Sequence, residues 1–304
     1  MFRDTYNTIM SKLTKQLITL ARQGGGSFKT VADRSKLAAR FAAKMAALNI
    51  QIRDVKHIKT HHIEKYIRSR QAEGISTRTP QNEMAAVRNI LITGGRGKLA
   101  DPQHEKLSNK ALGLSGASRD GTKVAISAER YLAAVSGAEK QDAGVAAALQ
   151  LARCFGLRTE EAVQSVKSLK TWQQALLHGE ARVRVVFGTK GGRPRDTTVI
   201  DRDKMLHVVN HALTVAAAQN GRLVDRPELK SAIDRYRNVA RKAGLTGKSA
   251  PHSLRYAWAV DAVEFHTRNG MSEKEVSAMV SMDLGHGDGR GRYVMRVYTK
   301  SSES

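Results

Sequence analysis

Apolar residues in the first hundred positions recur at helical rather than alternating spacing. Ala38, Ala39, Phe41, Ala42, Met45, Ala46 and Leu48 form one stripe, Ile58, Ile63, Tyr66 and Ile67 a second after Asp54, and Met84, Val87, Ile90 and Leu91 a third after Pro80. Steps of three and four residues put such positions on one face of a helix, where they can be buried together. The pattern predicts a small helical domain over residues 1–110.

Between Thr93 and Gly121 the periodicity lapses and Gly94, Gly95, Gly97, Pro102, Gly113, Gly116 and Gly121 accumulate. This is linker composition; a linker is expected over 111–121 and a second domain over 122–304. Helical spacing resumes from Ser127 through Ala133 and Val145 to Val163, then changes at Ala181. Arg182 to Phe187 and Thr197 to Ile200 are rich in β-branched residues and flank a Lys190-Gly191-Gly192-Arg193-Pro194 turn, which predicts a β-hairpin. Helices are expected again from Arg202 onward. The fold class is therefore mainly α with a small antiparallel β-sheet (α+β) in the second domain, without internal repeats.

Composition narrows the function classes. With 41% hydrophobic and 26% charged residues the chain is ordinary globular material. Apolar runs such as Val145 to Leu149 fall far short of the roughly 20 residues that span a bilayer, and Arg3 and Asp4 are not followed by a signal-peptide core. A soluble, cytoplasmic protein with no membrane partner is expected. The single cysteine, Cys154, can form neither an internal disulfide nor a zinc ribbon, and is read as packing.

Charge changes the picture most. The net charge is +23, with 21 basic and 8 acidic residues through Lys110 and 30 and 20 beyond it. A basic tail cannot account for an excess carried by both parts. A surface of this kind suits an enzyme that embraces a duplex, because neutralising phosphates releases counterions. Lys59, Lys65, Arg68 and Arg70 would give the first domain a face for a DNA groove, although charged faces are commonly just solvated.

Four clusters then carry candidate chemistry. In Gly156-Leu157-Arg158-Thr159-Glu160-Glu161, Arg158 opens a helix and Glu161 lies one turn on, able to hold its guanidinium. In Gly188-Thr189-Lys190-Gly191-Gly192-Arg193, Lys190 stands at the tip of the hairpin; the spacing is not that of a phosphate-binding Walker loop. In Pro251-His252-Ser253-Leu254-Arg255, His252 and Arg255 share the first turn of an apolar helix, where free amides also favour an anion. Asp283-Leu284-Gly285-His286-Gly287 is followed by Asp288-Gly289-Arg290-Gly291 and by Tyr293 and Tyr298. No strand precedes its glycines, so a dinucleotide fold is not expected, and His286 with Asp283 and Asp288 makes only a weak metal site.

Taken in order, these clusters resemble the tyrosine recombinase (phage integrase) family: an arginine followed by a glutamate, a hairpin lysine, a His-x-x-Arg, a Leu-Gly-His and a final tyrosine. The resemblance covers residues 122–304 as a catalytic domain, and the helical first part is similar in kind to the family's core-binding domain, giving a two-domain DNA clamp. It implies a site-specific DNA recombinase that integrates or excises a mobile element through a covalent 3′-phosphotyrosyl intermediate, near the nucleoid. The partners would be double-stranded DNA sites, further copies of the chain (a tetramer on paired sites) and an accessory DNA-bending protein. Arg158 and Arg255 would clamp the phosphate, His286 would donate to it, Lys190 would protonate the departing 5′ oxygen, and His252 would accept the tyrosine proton or assist the clamp. Tyr298 would be the nucleophile. No cofactor or metal is called for, since cations occupy the positions a metal would fill.

The chain departs from the family pattern after His286. Tyr293 follows by seven positions and Tyr298 by twelve, whereas most members place the tyrosine between those limits. Val297-Tyr298-Thr299-Lys300 resembles the family's hydrophobic-Tyr-Thr/Ser-basic ending, which favours Tyr298 if Gly287 to Arg292 is a lengthened loop; Tyr293 is the alternative. Six residues follow Tyr298, so either the tyrosine segment itself makes the subunit contacts, or the chain is truncated, or assembly depends on the first domain. Other readings are a type IB topoisomerase, a catalytically silent DNA-binding protein, and a metal nuclease using His57, His61 and His62.

Overall fold

The apolar stripes of the first hundred residues fall on or beside helices in the computed structural model, which describes residues 10–117 and 123–299. The chain separates into two units, residues 1–119 and 120–304. The first contains α1 (Lys12–Gln23), α2 (Phe28–Ala47), α3 (Thr60–Gln71), α4 (Arg78–Thr93) and the single turn α5 (Gly97–Ala100). Helix α1 precedes the stripes set out above; its Leu13, Leu17 and Ala21 are buried one turn apart. They meet Phe41 and Met45 of α2, Ile63, Tyr66 and Ile67 of α3, and Met84, Val87, Ile90 and Leu91 of α4. Burying each large apolar side chain contributes roughly 1.5–3 kcal/mol. Pro80 lies inside α4 rather than before it. In the first turn its missing N–H costs no helical bond.

The stretch expected to act as a linker is tied down as far as it is described toward residue 117. Leu107, Leu112 and Leu114 are buried in the same core. Their carbonyls accept from Arg88 (2.8 Å), Gln71 (3.0 Å) and Gln81. Glycine-rich composition allowed the turns here, but leucines spaced through them supply the packing. Residues 118–122 lie outside the described residues.

This core also encloses a carboxylate. Glu83 accepts from Arg70 Nε and Nη2 (2.9 and 2.8 Å), from Arg40 Nη1 (2.9 Å) and from Tyr66 Oη (2.9 Å). Burial works to raise its pKa, but the bonds from Arg70 and Tyr66 prevail and hold it below the usual carboxylate value.

The second unit is mainly helical around one short hairpin: α6 (Ala128–Glu139), α7 (Ala143–Phe155), α8 (Thr159–Gln164), α9 (Leu169–Leu177), β1 (Arg182–Val185), β2 (Arg195–Thr198), α10 (Arg202–Ala218), α11 (Leu229–Lys242), α12 (His252–Arg268), α13 (Glu273–Asp283) and α14 (Gly291–Tyr298). Helix α7 is buried along most of its length, Gln150 and Arg153 apart, and is its centre, packed against α6, α8, α10 and α12. Its run of alanines, with Gly144 directly under the Leu223 carbonyl, lets neighbours approach closely. The single helical stretch expected from Ser127 to Val163 is three helices, because Asp142 caps α7 and Gly156 ends it.

The hairpin is antiparallel, with Val183 opposite Thr197 and Val185 opposite Arg195. Its second strand begins at Arg195, earlier than the β-branched run suggested, and the first ends at Val185. Side chains alternate across a strand, so Val183, Val185, Arg195 and Thr197 all turn inward and are buried. Trp172 of α9 anchors this face: it stacks on Phe155 at 4.6 Å and donates its indole N–H to the Arg184 carbonyl at 2.8 Å. A separate apolar cluster joins α12, α13 and α14 through Trp258, Val276, Val280, Leu284, Val294 and Val297. Among the described residues no helix is long and apolar enough to cross a membrane.

Removing the buried carboxylate of the first unit in Glu83→Ala takes two of its bonds from Arg70, which keeps only Glu73, and leaves the Tyr66 hydroxyl unpaired; this is expected to destabilise that unit by about 3 kcal/mol, read as faster hydrogen exchange in α3 and α4. Because the folded pKa of Glu83 is depressed, its stabilisation is complete above the unfolded carboxylate pKa and is lost as pH falls below it. Wild-type and Glu83→Ala proteins should therefore converge in stability on acidification.

Candidate active site

Helix α7 ends at Gly156, whose φ of +60° is the left-handed conformation glycine adopts without strain. A Cβ there would also meet the Trp258 ring at 2.7 Å. The chain restarts almost at once as α8, with Arg158 in the N-cap position. Its backbone N–H donates to Glu161 Oε2 at 2.8 Å and its Nη1 to Oε1 at 2.7 Å. On a surface such an i,i+3 pair would be worth little, but Glu161 is buried and faces two more arginines. Arg195 Nη2 donates to it at 2.8 Å, and Arg255 Nη1 lies 3.7 Å away. Burial pushes the carboxyl up; Arg195, Arg255 and Arg158 outweigh it and hold its pKa at about 2.

Two backbone carbonyls complete the mounting. That of Gly156 accepts from both Arg195 and Arg255, and that of Leu284 from both Arg158 (2.9 Å) and Arg255. Arg255, in the first turn of α12, exposes no surface, whereas about a fifth of the Arg158 side chain is open (21%). Burial, then Arg195 and Arg158, lower Arg255 to about 9, which leaves it cationic at neutral pH.

Arg158 opens onto a cleft of about 730 Å³ that Lys190, Arg193, His286 and Arg290 also line. Lys190 is exposed at the start of the turn between β1 and β2. Among the described residues no carboxylate lines this cleft, so its field favours an anion. Gly285, with φ +65°, lets the chain leave α13 in close contact with the guanidinium groups: a Cβ would stand 3.1 Å from Arg195 Cδ.

His286 Nε2 is 3.1 Å from Tyr298 Oη. His252, at the start of α12, presents its ring edge to Tyr298 at 5.9 Å. Thus His286 rather than His252 is within hydrogen-bonding distance of the phenol. Burial first, and then Arg255 and Arg158, bring both imidazoles down to about 4. Both rings are neutral at pH 7, so in one tautomer His286 accepts the phenol proton.

The interval between His286 and Tyr298 is not a long loop. A turn at Asp288–Arg290 leads directly into α14, and Gly291 fits against Ser277 where a side chain would collide. Tyr293 and Tyr298 therefore share one helix. Tyr298 is buried at its end, whereas Tyr293 is half-buried with its ring 5.9 Å from that of His286. Residues 300–304, including Lys300 of the ending quoted above, lie outside the described residues.

Two participants went unread in the sequence. Arg195 was signalled only by its inward register in β2. Tyr256, one turn after His252, packs on Tyr298 with ring centroids 4.5 Å apart; burial, then Tyr298 and Tyr293, push it up to about 12. Cys154 is buried, and burial raises its thiol to about 11. In the first unit His62 accepts the Lys59 backbone N–H at 3.1 Å. Among the described residues no group of three His, Cys, Asp or Glu could hold a metal ion.

Comparison with known proteins adds to this geometry. A phage integrase N-terminal family model matches residues 10–100 and an integrase model matches residues 113–261. The chain belongs to the phage integrase family of tyrosine-type site-specific recombinases. Arg158, Lys190, His252 and Arg255 fall within the integrase match, while His286, Tyr293 and Tyr298 lie beyond it. Among solved structures, this recombinase is similar in fold to a lambda integrase dimer bound to a COC′ core site (TM-score 0.58, 14% identity, 96% of this chain and 78% of that one). It is also similar to a lambda integrase tetramer bound to a Holliday junction (0.55, 14%, 96% and 78%). The XerH site-specific recombinase bound to palindromic difH substrate, a post-cleavage complex, gives 0.54 and 16% over 95% and 82%. No curated protein sequence matches the chain.

The two active-site imidazoles should titrate near pH 4 in NMR spectra of the free protein, not near 6.5. Their folded pKa values are depressed, so the stability linked to them is intact above about 6.5 and declines as pH falls toward 4. A midpoint near 6.5 for His286 would show that burial and the arginine field do not govern it.

Proposed function

We propose that this recombinase cleaves and rejoins duplex DNA through a 3′-phosphotyrosyl intermediate on Tyr298. The observation that carries the reading is the Tyr298 hydroxyl, 3.1 Å from a neutral His286 beside the cationic cleft. Attack by the phenol oxygen forms a bond to phosphorus and breaks the bond to the 5′ oxygen. The phenol proton passes to an imidazole, with His286 in contact and His252 at the ring edge, and Lys190 supplies a proton to the leaving oxygen.

Negative charge that builds on the nonbridging oxygens is met by Arg158 and Arg255. Cations fixed before the reaction stabilise that charge more than they stabilise the ground state, and loss of one such donor costs about 10²–10³ in rate. Arg158 is open to the cleft; Arg255 would engage by exchanging a carbonyl partner for phosphate. Rejoining is the reverse reaction with the 5′ hydroxyl of a partner strand, and consumes no nucleotide.

On this reading residues 1–110 form the core-binding domain and 122–304 the catalytic domain of a clamp around DNA. Recombination between two paired duplexes needs four strand cleavages, hence a tetramer. The lambda integrase tetramer on a Holliday junction supports that arrangement by analogy of fold. Integration or excision of a mobile element, at nucleoid DNA and with help from a bending protein, is the fitting role.

The test uses DNA selected by this protein from a random pool, nicked so that the short 5′ product diffuses away. Wild type should give a denaturation-resistant protein–DNA adduct, in chelator as well as in its absence, with the DNA remnant on Tyr298 by mass spectrometry. Tyr298→Phe should abolish it and Tyr293→Phe should retain it. The opposite pattern would transfer the nucleophile to Tyr293, and loss of the adduct in chelator would overturn the metal-free reading.

A further inference from the structure

Arg195 is 6% exposed, lines the cleft beside Arg158 and bonds to protein through all three guanidinium nitrogens. Nη2 donates to Glu161 Oε2 at 2.8 Å and to the Gly156 carbonyl at 3.0 Å, Nε to Glu161 Oε1 at 3.4 Å, and Nη1 to the Asp283 carbonyl. The carboxylate oxygen that Arg195 Nη2 holds is also the one nearest Arg255. Glu161 carries one negative charge among three guanidinium groups, so the cluster is left with a net charge of +2. Arg158 pairs with Oε1 at 2.7 Å and Arg195 with Oε2 at 2.8 Å, while Arg255 is left 3.7 Å from Oε2.

Stability alone gives little reason for such a cluster. A buried ion pair can commonly be replaced by apolar residues of similar volume with no loss, because desolvating the charges offsets their attraction. Arg195 also sits opposite Val185 at an inward strand position where an aliphatic residue would serve packing equally well.

We infer that Arg195 is a positioning residue: by holding Glu161 Oε2 and the carbonyls of Gly156 and Asp283, it keeps Arg255 off the carboxylate and its charge available for the scissile phosphate, while Arg158 remains paired through Oε1. This rests on the phosphate chemistry proposed above for the same site. Without Arg195, Glu161 draws Arg255 onto itself and one positive charge is withdrawn from the reaction. The Asp283 carbonyl loses its donor at the same time, three residues before His286.

Single-turnover adduct formation on nicked DNA at saturating protein separates this from a packing role. In Arg195→Met the rate constant for adduct formation should fall by about a hundredfold, the order expected when reacting groups are misplaced by about an ångström. Affinity for uncut DNA should stay within about threefold, since phosphate contacts over the whole duplex dominate it. Arg195→Lys keeps the charge without the fork and should recover part of the rate. A packing role would instead lower the amplitude, as inactive molecules accumulate, and leave the rate constant unchanged; that result in both variants overturns the inference. A crystal structure of DNA-free Arg195→Met, or of Arg195→Lys should the methionine variant not fold, reads the geometry independently. Arg255 should close on Glu161 from 3.7 Å to direct hydrogen-bonding distance, and a separation that stays at 3.7 Å would also overturn it. If wild type forms no adduct, the DNA-cleavage reading fails, while the crystal structure still decides whether Arg195 holds Arg255 off the carboxylate.

Discussion

Glu161 is a buried carboxylate to which three guanidinium groups converge, and the second unit is arranged around making that tolerable. Charges taken out of water must find partners or be lost. Here the partners come from four parts of the chain: Arg158 from the turn between α7 and α8, Arg195 from the hairpin, Arg255 from α12, and the carbonyls of Gly156, Asp283 and Leu284 from the ends of two helices. Each device noted in the fold serves this meeting. Gly156 turns the chain, Trp172 holds the hairpin against α7, and Gly285 brings the segment after α13 within reach of the arginines.

The same field adds to burial in setting the behaviour of the neighbouring imidazoles. Burial first, and then guanidinium groups that stay charged at neutral pH close to His252 and His286, drive both rings to the uncharged form. The cleft therefore combines permanent cations with neutral rings capable of taking a proton. Those are distinct tasks, charge stabilisation and proton transfer, and they fall to different residue types for that reason.

Much of this was legible in the sequence. Stripes at Phe41 and Met45 or Ile63 and Ile67 located α2 and α3, and β-branched residues around Lys190 located the hairpin. Local rules are sufficient there because the interacting residues lie within one or two turns of each other. The paired Arg158 and Glu161 were also visible, being three residues apart. What escaped depends on partners distant in sequence. An arginine in a four-residue strand gives no sign that it faces inward to a carboxylate 34 positions earlier. Glycines from Gly287 to Gly291 suggested a loop, yet Gly291 begins a helix and is packed so close to Ser277 that a side chain there would collide. Leucines among the turns before residue 117 read as linker until the core that receives them was in view.

The carbonyls shared between arginines have a consequence for how the protein comes into being. Arg158 reaches across 126 residues to Leu284, and Arg255 across 99 to Gly156. Contacts of such separation close large loops and tend to form late, after local helices have gained stability. A nascent or partly opened chain thus holds helices but not the assembled cationic cluster. The cationic cluster is a property of the finished domain rather than of any one segment, and a chain that has not closed these loops cannot present it.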